Sequence, residues 1–118
     1  MRSIIPWLGK SIFRSAIWNY SRLEPKLYLT FDDGPHPTIT PWVLSELKKY
    51  NAKATFFCVG KNVALYPEVY NQIIKEGHSV GNHSYSHLKG WTVSTQEYLK
   101  DIALAAKLID SKLFLKFF

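Results

Sequence analysis

Cysteine and glycine are both scarce in this 118-residue sequence: Cys58 is the single cysteine and there are six glycines. One thiol cannot form an internal disulfide, so no such bond holds the fold. The glycines do not gather into a phosphate-binding loop, and the fifteen Lys and Arg residues form no basic run. The net charge of +6 therefore reads as a solvated surface with a mild attraction for anionic glycans or envelope polymers. Nucleic acid is not an expected partner. No uninterrupted apolar run is long enough to span a bilayer. The long apolar core and small-residue cleavage site of a signal peptide are not evident. Cytoplasmic and envelope-associated locations both fit.

What is present argues for one folded domain. The apolar fraction is 47% and the aromatic fraction 15%, too rich for a disordered chain. The chain divides at Pro25. Residues 1–25 form an apolar and basic segment, in which Ile4, Ile5, Trp7, Leu8, Ile12, Phe13, Ile17 and Trp18 are interrupted by Lys10 and Arg14, and no acid precedes Glu24. Two readings suit it: an amphipathic helix making weak contact with a membrane surface through residues 1–22, or a terminal segment packed on the domain.

From residue 26 to 118 the pattern alternates strand and helix. Leu27 to Phe31 is apolar on both faces, as in a strand covered on both sides. Thr40 and Pro41 read as a cap and first helical residue, followed by a buried stripe of Val43, Leu47 and Tyr50. Ala52 to Val59 reads as a second buried strand, in which Cys58 is a structural thiol. Pro67 opens a helix carrying Tyr70, Ile73 and Ile74, and Gly77 closes it. His78 to Val80 forms a short third strand, with His78 a hydrogen-bonded core residue. Ser94-Thr-Gln-Glu97 is a capping-box pattern opening a helix with a stripe of Tyr98, Ile102, Ala105 and Ile109. Leu113 to Leu115 begins a fourth strand. Repeated β-α units imply an α/β fold with a parallel sheet, open or barrel-like, whose site gathers at the C-terminal ends of the strands.

Two constellations carry chemistry. Lys26-Leu-Tyr-Leu-Thr-Phe-Asp-Asp-Gly-Pro35 runs from a strand into adjacent carboxylates, Asp32 and Asp33, which repel unless a cation or proton offsets them. By itself this also suits a solvated turn. Gly81-Asn-His-Ser-Tyr-Ser-His87 sets His83 and His87 four residues apart, so one helical turn would put both imidazoles on one face. Two His and one carboxylate make a three-ligand site with positions left for water and substrate. His36 reads as a loop-shaping residue. Trp42 and Trp91 could stack on sugar rings, with packing as the default.

Thr30-Phe-Asp-Asp-Gly-Pro35 followed by His83-Ser-Tyr-Ser-His87 resembles the first two motifs of the polysaccharide deacetylases, the NodB-homology carbohydrate esterases. Ala52-Lys-Ala-Thr-Phe-Phe-Cys-Val-Gly60 and Glu76-Gly-His-Ser-Val-Gly-Asn-His83 are similar to that family too. The resemblance implies the first half of a distorted (β/α) barrel. It implies Asp33, His83 and His87 as ligands of a divalent metal, zinc first and cobalt, manganese or iron also suitable, with Asp32 as general base. The implied reaction is deacetylation of a carbohydrate polymer such as chitin oligomers or peptidoglycan, with acetyl esters on xylan a further candidate.

The family pattern continues from a Leu-Phe pair into Arg-Pro-Pro, then a substrate-binding aromatic and a catalytic histidine. Here Ser111-Lys-Leu-Phe114 is followed by Leu-Lys-Phe-Phe, and no histidine follows His87. The expectation is a domain truncated after the second motif, with an open sheet edge prone to self-association. Three readings stay open: a deacetylase completed by a partner, a truncated and inactive product, and a module that only binds metal or glycan.

Overall fold

The computed structural model describes residues 10–12, 14–20 and 23–109. Its order is β1 (Leu29–Gly34), α1 (Ile39–Lys49), β2 (Ala54–Cys58), α2 (Gly60–Leu65), α3 (Pro67–Lys75), β3 (Ser79–Asn82) and α4 (Thr95–Ala106). The three strands form one parallel sheet in the order β1-β2-β3, each reached through a helical crossover. This is the expected α/β architecture. The fourth-strand expectation, Leu113 to Leu115, lies outside the described residues, as does most of the proposed amphipathic helix over 1–22.

Helix α2 was not foreseen. Its six residues, Gly-Lys-Asn-Val-Ala-Leu, are too few to display a helical period. The other helices follow local signals. In α4, the Ser94 hydroxyl accepts the Glu97 amide N–H at 3.2 Å while the Glu97 carboxylate accepts the Ser94 amide at 2.9 Å. Helix α3 begins at Pro67 and ends where Gly77, at φ +77°, lets the His78 N–H return to the Ile73 carbonyl.

Helix α1 starts at Ile39, a residue before the expected Thr40 cap. The His36 imidazole takes the capping role: its Nδ1 accepts the Thr38 and Ile39 amides at 3.3 and 3.2 Å. His36 is thus a loop-shaping residue, as expected. At the other end Asn51 adopts φ +49° and the Ala52 N–H bonds the Leu47 carbonyl. Tyr50 is therefore the C-cap rather than a stripe residue and is 80% exposed, whereas Leu44 takes the buried place.

The core lies on one face of the sheet. Ala54, Phe56 and Cys58 alternate inward along β2, meeting Leu44, Ile73, Val80, Ala105 and Ile109 from the other elements. Cys58 is fully buried, and burial pushes its thiol up to about 12, so it stays protonated and inert. Strand β1 departs from expectation. It begins at Leu29 and is an edge, with Leu29 40% exposed and the preceding Leu27 88% exposed, because nothing among the described residues pairs with its outer side.

His78 is buried at the start of β3, where its Nδ1 accepts the Ala54 N–H at 3.3 Å and its ring meets Phe56 edge-on. Burial holds its pKa below the ordinary 6.5; the nearby Lys53 ammonium adds to this, and the Glu76 carboxylate opposes it. The unfolded chain therefore takes up this proton at a higher pH than the folded one. The stability that neutral His78 supports is present above about 6.5 and is lost as pH falls through the lower folded value. Urea titrations at pH 7 and pH 5 are expected to show a larger loss for wild type than for His78→Gln. Equal losses would remove His78 as the cause.

Candidate metal centre

The parallel ladder aligns Gly34, Cys58 and Asn82 as one row at the C-terminal ends of the three strands. Asp32 still pairs with Phe57, but the next paired residue is Gly34, so Asp33 is the extra residue of a β-bulge. Its φ of +67° turns the backbone out of the strand. Asn62 of α2 donates to the Asp33 carbonyl at 2.8 Å and fixes the bulge. The bulge separates two carboxylates that are adjacent in sequence.

Asp33 meets both histidines. Its Oδ1 lies 3.2 Å from His83 Nε2 and 3.2 Å from His87 Nε2. The imidazole centroids are 4.9 Å apart and tilted by 49°. One ligand atom from each of the three residues falls within 4.8 Å of the others. Asp32 is exposed beside this cluster and is not part of it. The cluster opens to solvent, with the Asp33 side chain 69% exposed and that of His83 32% exposed.

The histidines reach this geometry from a loop, which corrects the helical-turn expectation. Residues 83–87 contain no helix, and Ser84 and His87 have φ of +61° and +55°. Backbone in the left-handed region costs energy for residues with a Cβ and persists where surroundings over-determine it. Three contacts do so here. At the sheet, the Cys58 carbonyl accepts the His83 N–H at 3.0 Å and the Asn82 side chain accepts the Ser84 N–H at 2.8 Å. At α2, the first two amides, of Gly60 and Lys61, donate to the Ser84 and Tyr85 carbonyls at 2.9 and 3.0 Å. At α4, the Asp101 carboxylate accepts the Tyr85 and Ser86 amides at 2.7 and 2.9 Å.

Gly60 must be glycine for this packing. A Cβ there would sit 2.7 Å from the Tyr85 ring and 3.1 Å from the Ala105 backbone. Neither Gly60 nor Asp101 was singled out from sequence. The available signal for Asp101 was its place beside the α4 stripe, one turn before Ala105. Burial works to raise the Asp101 pKa, and the Ser86 and Tyr85 hydrogen bonds outweigh it, holding the carboxyl below its usual range.

Two of the four tryptophans, Trp42 and Trp91, depart from the packing default. Trp42 on α1 and Trp91 after the histidine loop are exposed.

Residues 19–114 match the family model described as polysaccharide deacetylase. A peptidoglycan-N-acetylglucosamine deacetylase of Bacillus cereus is 41% identical over 93 residues, covering 79% of this chain and 44% of that protein. The crystal structure of the Bc1960 peptidoglycan N-acetylglucosamine deacetylase superposes with a TM-score of 0.73 at 38% identity, covering 80% of this chain and 44% of that one. A family 4 acetyl xylan esterase from Clostridium thermocellum, solved with a cobalt ion, gives a TM-score of 0.66 at 39% identity, covering 71% of this chain and 42% of that one. The chain thus spans less than half the length of the relatives it matches.

Replacing Asp101 by Ala leaves two loop amides without an acceptor. A loss of roughly 1–3 kcal/mol in stability is expected, with faster hydrogen exchange at Tyr85 and Ser86. Unchanged exchange at these amides would show that the carboxylate does not hold the loop.

Proposed function

The chain belongs to the polysaccharide deacetylase family, and on that premise we propose that it hydrolyses the acetamide of N-acetylated sugar polymers of the peptidoglycan or chitin class. The observation carrying this reading is the convergence of Asp33, His83 and His87 on one point. One carboxylate and two imidazoles are a donor set suited to zinc and also to cobalt, manganese or iron. These three residues would hold the ion. The spacing of their ligand atoms and the open side of the cluster fit such an ion with water and substrate beside it. When bound, a divalent ion lowers the pKa of water and polarises a carbonyl oxygen.

The remaining work falls to the chain's own groups. The ladder position of Asp32 leaves its carboxylate free of the cluster, where it accepts the proton of the attacking water. The clamped loop keeps the two imidazoles from drifting, which matters because small displacements at a reacting centre cost rate steeply. Attack of water on the acetamide carbon forms the new C–O bond, and the proton taken up by Asp32 passes to the sugar nitrogen as the C–N bond breaks, releasing acetate and leaving a free amine on the sugar.

Acetate release from peptidoglycan or chitin oligomers, with and without added Zn²⁺ or Co²⁺, tests this alongside metal stoichiometry. Metal-dependent release is expected, with about one ion bound per chain. Asp32→Asn is expected to keep the ion and lower release by about 10²- to 10⁴-fold. His83→Ala or His87→Ala is expected to lose the ion. Binding without release in wild type would reduce the cluster to a metal-binding site, and loss of the ion in Asp32→Asn would contradict the base role.

A further inference from the structure

Resting on the deacetylase reading, we infer that Trp91 is the platform of a sugar subsite next to the Asp33-His83-His87 cluster, taking a pyranose ring of the glycan chain away from the reacting acetamide. Trp91 is 85% exposed, an unusual position for the largest apolar side chain. It does not stand alone. It borders a cleft of about 370 Å³ whose walls include Leu88, Tyr98 and Ile102 together with His83 and His87. That volume lies within the roughly 300–1,000 Å³ of small-ligand clefts. A ligand seated on Trp91 is therefore continuous with the candidate reaction centre.

The platform is built on a fixed turn. The Thr92 amide and hydroxyl both donate to the Lys89 carbonyl, at 2.9 and 2.8 Å. Gly90 lies close over the Tyr98 ring, where a Cβ would come within 3.7 Å. Two residues after Thr92, the Ser94 capping box starts α4. The backbone that carries Trp91 is thus fixed, so only the side-chain torsions of the indole remain to be ordered when a ligand arrives. The chemistry suits a sugar, because pyranose rings present C–H faces to an indole while their hydroxyls stay in water. Trp42, 63% exposed on α1, does not line that cleft and serves as the internal control.

The test is a titration of the full chain with N-acetylated chitooligosaccharides of increasing length, read by calorimetry and tryptophan fluorescence, with zinc and with chelator. Binding that tightens with length is expected. Trp91→Ala is expected to weaken it roughly three- to tenfold, Trp91→Phe to restore most of it, and Trp42→Ala to leave it unchanged. Circular dichroism verifies that each variant folds. Equal affinity in Trp91→Ala and wild type, or no binding by wild type, overturns the subsite. So does a change confined to oligomeric mass, which would give Trp91 to a contact between copies. Acetate release, measured separately, keeps the two readings apart. Trp91-dependent binding without release supports the subsite and sinks hydrolysis, whereas release with no Trp91-dependent binding does the reverse.

Discussion

The geometry of this protein depends on how one five-residue loop is held. Residues 83–87 carry two imidazoles on a backbone that is unfavourable at Ser84 and His87. The loop keeps that conformation because the end of β2, the first turn of α2 and the Asp101 carboxylate of α4 each satisfy its polar groups. Each contact is an ordinary hydrogen bond. Together with the Asn82 side chain they bond the amides of His83, Ser84, Tyr85 and Ser86 and the carbonyls of Ser84 and Tyr85, which leaves the segment few alternatives.

The sheet supplies the other half of the constraint. Parallel pairing places Gly34, Cys58 and Asn82 in one row, so that a bulge on the first strand and a loop after the third face each other. Beneath that row the core is dense: Cys58 and Val80 are fully buried and lie against Leu44 and Ile73. A close-packed floor does not yield easily, and it can carry local backbone strain above it. Three of the four non-glycine residues with positive φ among the described residues, Asp33, Ser84 and His87, lie in this cluster. Strain of this kind concentrates at working sites.

The surroundings of the cluster match the proposed substrate. The three side chains are open to solvent, and the cleft beside them has aromatic and aliphatic walls. Under the proposed reading a long polymer would lie across this surface with one acetamide at the cluster and a neighbouring ring on Trp91. In the proposed reaction Asp32 would stay near the cation without binding it, and the bulge separates its carboxylate from that of Asp33 within two consecutive residues.

Much of this was legible in the sequence because it rests on local chemistry. The capping box at Ser94, the stop at Gly77, the buried thiol of Cys58 and the core role of His78 depend on neighbours a few residues away or on an apolar run. The two motifs, with their order and separation, placed the chain in its family. Other features were decided only by tertiary structure. A spacing of four is compatible with a helical turn, and contacts from α2 and Asp101 made the His83-His87 segment a loop instead. Six residues are too short to show a period, so α2 is not legible in the sequence. Exposure of β1 reflects the lack of a strand paired to its outer side among the described residues, whereas its apolar composition reads as buried. Residues alone do not distinguish Asp32 from Asp33; the ladder register does, because a bulge is a relation between two strands. The sequence by itself determined which chemical groups are present and where most of the helices begin and end. The fold decided which of those groups meet, since their meeting depends on hydrogen bonds between residues far apart in the chain.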